Sequence, residues 1–110
     1  MKVTVEVYQD VFGNQPYVDW LDDLRDGRAK QRIRARVNRL RDGSFGDCKP
    51  VGGSVLELRI DYGPGYRVYL ARRGPVVVLL LVGGDKRSQS ADIDRAMRCL
   101  ADYERRAVSG

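Results

Sequence analysis

The sequence predicts an α+β fold: one mostly antiparallel sheet with a helical hairpin covering one face. Three observations carry this. Apolar residues alternate with polar ones near the N-terminus and again over residues 54–71; residues 76–82 are an unbroken apolar run; and apolar stripes recur at helical spacing over residues 16–41 and after residue 88. The element order is strand, helix, helix, three-stranded meander, helix, with no repeat, linker or low-complexity segment to divide residues 1–110.

Val3, Val5 and Val7 alternate with Thr4, Glu6 and Tyr8, so residues 2–8 read as a strand. Phe12-Gly13-Asn14 breaks it, and Pro16 suits the first turn of a helix, where its missing N–H costs nothing. Tyr17, Trp20, Leu21 and Leu24 follow as one apolar stripe, on which Trp20 reads as a core residue. After the short break at Asp26-Gly27, a second helix starts near Arg28 and ends near Arg41, with Ala29, Ile33, Val37 and Leu40 as its buried stripe. Its other faces carry Arg28, Lys30, Arg32, Arg34, Arg36, Arg39 and Arg41. Unopposed like charges one turn apart, such as Arg32 and Arg36, cost stability, so this face reads as a phosphate-contacting surface.

Residues 42–53 read as a glycine-punctuated loop bordering the meander, with Phe45, Asp47, Cys48, Lys49 and Pro50 in it. Leu56, Leu58 and Ile60 then alternate with Val55, Glu57, Arg59 and Asp61, the pattern of a strand with one buried and one exposed face. Gly63-Pro64-Gly65 turns the chain, and Arg67 and Tyr69 share one face of the next strand. Arg72-Arg73-Gly74-Pro75 turns it again into the apolar run, an interior strand flanked by its meander partner and the N-terminal strand. The sequence does not set the register, but simple pairing through the Gly63-Pro64-Gly65 turn would put two arginines and a carboxylate side by side: Arg59, Arg67 and Glu57. Gly83-Gly84-Asp85-Lys86 resembles an anion cradle, and Ser88 or Ser90 is expected to cap a last helix with Ile93, Ala96, Met97, Leu100 and Ala107 on its apolar face.

Composition narrows the chemistry. A length of 110 residues fits one domain, and a net charge of +5 favours a polyanionic partner. There is no histidine, which excludes imidazole as general base, general acid or metal ligand. Cys48 and Cys99 lack a metal-ligand or CxxC spacing and read as reduced thiols. No apolar run approaches the ~20 residues that span a bilayer, and the first residues form no cationic and apolar leader. A cytoplasmic protein with no metal and no other cofactor is therefore expected.

The segments WLDDLRDGRAKQRIRARVNRL, GDCKPVGGSVLELRIDYGPGYRVY and LLLVGGDKRSQSADIDRA, in this order, resemble the RelE/ParE superfamily of type II toxins. The HigB-like, phage-derived "addiction module killer" branch is the nearest in pattern. The resemblance implies a RelE/ParE-like fold, a bacterial or phage toxin neutralised by a cognate antitoxin with a helix-turn-helix domain (HigA-like), and endoribonuclease cleavage of mRNA on the ribosome. Arg67 in GYR matches the arginine at the scissile phosphate of RNA-cleaving relatives, Arg59 in ELR a second basic strand position, and Lys86 a basic residue after the last strand. This chain departs from the family where some relatives have strand lysines, here Val55 and Glu57, and where others have a histidine or tyrosine near the start of the last helix, here residues 89–93.

The mechanism expected from these residues is metal-independent attack by the RNA's own 2′-hydroxyl. Arg67 and Arg59 would hold the phosphate oxygens, Glu57 would take the 2′-hydroxyl proton, and Lys86 would steady the phosphate or the leaving oxygen. Tyr69 would stack on a base or orient the scissile group, with Arg32, Arg36, Arg39, Lys49 and Gln89 as further RNA contacts. The alternatives are a ParE-like module that inhibits DNA gyrase by binding, and an inactive, antitoxin-bound remnant of the toxin fold. The free chain is expected to be a monomer.

Overall fold

A computed structural model describes residues 2–109 of the chain. It is an α+β fold of one five-stranded mixed sheet and three α-helices. In chain order the elements are β1 (Thr4–Val7), α1 (Pro16–Asp23), α2 (Gly27–Leu40), β2 (Cys48–Gly52), β3 (Val55–Ile60), β4 (Tyr66–Arg72), β5 (Val77–Asp85) and α3 (Gln89–Ser109). The strands lie in the order β1-β5-β4-β3-β2. β1 runs parallel to β5, and the remaining pairs are antiparallel. The apolar run thus sits between its meander partner and the N-terminal strand, as its composition predicts.

Both faces of the sheet are covered. Tyr17 and Leu21 of α1 and Ala29, Ile33, Val37 and Leu40 of α2 pack with Leu58, Ile60, Val68, Leu70, Val78 and Leu80. On the opposite face Ala96 and Leu100 of α3 close over Val55, Tyr69, Ala71, Leu79 and Leu81. The alternation in β3 predicts one exposed face, yet Val55 and Glu57 are as buried as Leu58. α3 supplies the second cover, a long-range contact that strand periodicity does not report.

Three further expectations are corrected. Within the expected loop 42–53, residues Cys48–Gly52 form an edge strand whose register pairs Cys48 with Leu58 and Lys49 with Glu57. With only one partner strand, β2 exposes Lys49 and Pro50 and carries no apolar alternation to announce it. The anion cradle is also not formed, because Gly83-Gly84-Asp85 is the end of β5. A Cβ at Gly83 would run into the Trp20 ring on one face, and a Cβ at Gly84 into Asp92 on the other, so both positions need glycine for close approach. Finally, Asp85 rather than Ser88 or Ser90 caps the helical segment. Its carboxylate accepts from Arg87 N (2.9 Å) at the start of the 3-10 turn Lys86–Ser88, which continues into α3.

Two predictions follow from local structure. Asp26 caps α2, its Oδ1 accepting from the backbone N–H groups of Arg28 (3.0 Å) and Ala29 (3.2 Å). Asp26→Ala should destabilise the protein by about 1 kcal/mol in urea unfolding, and Asp26→Ser should recover most of it. The far end of α3 is tied to the end of β1, where Tyr8 Oη donates to Asp102 Oδ2 (2.6 Å) and Arg106 Nη2 donates to the same oxygen (2.8 Å) and to Gln9 O (2.6 Å). The Tyr8 and Arg106 hydrogen bonds hold the Asp102 carboxyl below its ordinary 3.8. Its contribution is therefore complete above that value and is lost as pH falls through the lower folded value. Burial and the Asp102 bond push Tyr8 up to about 12 from 10.0, so its contribution is complete below 10.0 and lost as pH rises through about 12. Melting temperature against pH should fall more shallowly at both extremes in Tyr8→Phe than in the parent.

Candidate active site

β3 and β4 pair so that Arg59 lies directly opposite Arg67 and Glu57 directly opposite Tyr69. Residues two apart on a strand share a face, so the four side chains form a block on the α3 side of the sheet. Tyr66 and Arg67 pair with Asp85 and Gly84 of β5, which brings Lys86 beside β4 as the chain leaves the sheet. Arg59, Arg67 and Lys86 consequently line one open hollow of about 320 Å³, together with Asp47, Ile60, Asp61, Gly65 and Tyr66.

Beneath this hollow, Glu57 is fully buried. Its Oε2 accepts from Gln89 Nε2 (2.7 Å) and Tyr69 Oη (3.1 Å) and lies 3.4 Å from Arg67 Nε. Its Oε1 is 4.0 Å from Arg59 Nε and accepts no hydrogen bond. Arg67 is only 7% exposed; its Nη1 donates to Gly65 O (2.9 Å), which aims the guanidinium along the turn toward the hollow. Arg59 is half-buried and also lies 3.9 Å from Asp47 Oδ2. Burial, and then the adjacent Glu57 charge, raise the Tyr69 phenol well above its ordinary value, so it remains a donor to Glu57.

These positions change the expected roles of Glu57, Tyr69, Gln89 and Arg36. Glu57 is sealed under the sheet's cover and does not reach a 2′-hydroxyl as a base. Tyr69 is 0% exposed and offers no ring for a nucleobase. Gln89, at the first turn of α3, is spent on Glu57 rather than turned to solvent. Among the α2 arginines, Arg36 braces the helix to the sheet through Nη1 to Arg59 O (2.6 Å) and Nη2 to Phe45 O (3.2 Å). Arg32 and Arg39 are exposed and line, with Ala35 and Arg36, a second hollow of about 260 Å³ that shares Ile60 and Asp61 with the first. The Arg32 guanidinium sits 4.6 Å from the Tyr62 ring centre, a cation–π pair. Lys49 is exposed on the edge strand and is not part of either lining.

Asp47 and Asp61 are the lining residues to which the sequence pointed least. Asp61 stands in the same period as Glu57 and Arg59, and that spacing was the available signal. Asp47 reaches the site because its carbonyl accepts from Arg59 N (2.9 Å) as β2 begins, which no local pattern encodes. Among the described residues, no three His, Cys, Asp or Glu side chains come together as a set that could hold a metal ion. No helix among them is long and apolar enough to cross a membrane.

No family model matches the chain. An uncharacterized protein of Haemophilus influenzae is 53% identical to it over 77 residues, 70% of this chain and 78% of the relative. By that identity and coverage, the chain belongs to the same family as this Haemophilus influenzae protein.

Proposed function

We propose that the chain is the toxin of a type II toxin–antitoxin module and cleaves mRNA without a metal ion. The observation that carries this reading is the convergence of Arg59, Arg67 and Lys86 on one open hollow. Guanidinium groups donate to two oxygens at once and keep their charge, which suits a phosphorane-like transition state whose negative charge sits on the non-bridging oxygens. The sequence resemblance to RelE/ParE toxins supplies mRNA on the translating ribosome as the substrate, a cytoplasmic setting and a HigA-like antitoxin as the partner.

With Glu57 withdrawn, the acid–base roles pass to groups that line the hollow. The RNA 2′-oxygen forms a bond to the neighbouring phosphorus while the bond to the 5′-oxygen breaks. The 2′-hydroxyl proton goes to Asp61 or Asp47, the carboxylates at the wall, and Lys86 gives a proton to the departing oxygen. The products are a 2′,3′-cyclic phosphate and a 5′-hydroxyl. The adjoining hollow with Arg32 and Arg39 extends the basic surface past Asp61, where the next phosphates of the backbone would lie.

The test is 5′-end mapping of cellular RNA after brief induction of the chain alone. Cuts in phase with codons, ending in 5′-hydroxyls, are expected; Lys86→Ala should reduce them by about 10-fold or more. Growth arrest with inhibited supercoiling and no new RNA ends would transfer the function to gyrase, and harmless induction would mark an inactive remnant.

A further inference from the structure

We propose that Glu57 is a positioning residue: held by Tyr69 and Gln89, it anchors Arg67 and Arg59 so that their free N–H groups face a phosphate in the hollow. This rests on reading that hollow as the anion site of the proposed nuclease. Three observations lead to it. Glu57 is fully buried, so it acts on nothing but its protein neighbours. Its Oε2 is fixed from two directions, by a tyrosine opposite it on β4 and by the first turn of α3. Its Oε1 and the Nε of Arg67 are both buried without hydrogen-bond partners.

A buried carboxylate oxygen and a buried guanidinium N–H left unpaired are costly. A fold that needed Glu57 only as an ion-pair partner would align these atoms. Here the acceptor capacity of Oε2 is used by the two neutral donors, and Arg67 is kept near the carboxylate without being turned fully onto it. The Nη1–Gly65 bond sets the guanidinium at its other end. Between these two restraints, Nη2 remains for a ligand. Arg59, opposite Arg67 in register, is drawn inward by the same carboxylate and outward by Asp47.

The sign of one measurement separates this role from its rival. By Coulomb's law alone, removing the negative charge under the hollow strengthens anion binding. If Glu57 positions the arginines, removing it weakens binding, because the donors lose their fixed direction. Inorganic phosphate titrated into the full-length chain, followed through the Arg67 Nε–H resonance, reads this directly. Glu57→Gln is expected to bind phosphate at least 5-fold more weakly, with faster hydrogen exchange at Arg67 Nε. Equal or tighter binding overturns the proposal. Should Glu57→Gln fail to fold, Gln89→Met removes one of the two fixing donors and is expected to weaken binding 2- to 3-fold, with no change again overturning it. Phosphate that does not bind the parent hollow at all removes both this role and the anion site. Phosphate binding that depends on Glu57, in a chain that leaves cellular RNA intact, keeps this role and removes the nuclease.

Discussion

Arg67→Lys should lower the proposed RNA cleavage by about 100-fold, equivalent to about 3 kcal/mol of transition-state stabilisation, while leaving the melting temperature near that of the parent. The lysine keeps a positive charge beside Glu57 but loses the fixed guanidinium plane that leaves Nη2 for a phosphate. The more obvious substitution, Arg67→Ala, is a poor test. Arg67 is one of two cations within 4.0 Å of the fully buried Glu57 carboxylate, and its removal leaves that charge facing an empty space. A buried pair broken from one side costs about 3–5 kcal/mol, so Arg67→Ala would lose activity through unfolding as well as through chemistry. RNA end counts after induction, measured beside thermal melts of the purified protein, check the expectation. Full cleavage by a folded Arg67→Lys protein would remove the arginine from the mechanism.

Gly83→Ala should destabilise the protein by about 3 kcal/mol, among the largest single-methyl effects the fold can show. Trp20 lies against the Gly83 backbone, with its ring centre 6.2 Å from those of Tyr17 and Tyr66. A rigid indole held between two rings cannot yield to a methyl group without shifting α1 from the sheet. Denaturant unfolding of Gly83→Ala and of Gly83→Ala/Trp20→Leu checks this, because the smaller side chain should recover part of the loss. If Gly83→Ala alone unfolds at the parental urea concentration, the close approach does not constrain the fold.

Where the sequence was informative, it was informative through pattern. The unbroken run at 76–82 required two neighbours, and β1 was the strand left to provide the second. The alternation put Glu57 with Arg59 on one face of β3 and Arg67 with Tyr69 on one face of β4, and the register that sets the two pairs opposite each other is visible only in the structure. What the sequence did not disclose was cover. Nothing in the period of β3 distinguishes a face turned to water from a face under α3, so Glu57 and Tyr69 read as reachable groups although both are 0% exposed. The edge strand β2 was hidden for a related reason: Cys48–Gly52 is defined by backbone hydrogen bonds to β3, with proline and lysine in positions where an interior strand would carry β-branched residues. With β2 unread, Asp47 had no reason to be set beside Arg59. The glycine pair misled in the opposite direction, because its spacing suits an anion loop and its actual partners are an indole and a carboxylate.

The parallel pairing of β1 with β5 has a consequence for how the molecule comes into being. Among the described strands, β1 precedes the others in the chain and has one neighbour in the sheet, β5, which follows the others. A growing chain therefore holds Thr4–Val7 as a loose ribbon until Val77–Asp85 has left the ribosome, and closing so long a loop is slow. Lys86 follows β5 directly, so the last cation of the hollow arrives at the moment the sheet can lock. A nascent fragment ending before that point has neither the closed sheet nor the full set of cations that line the hollow.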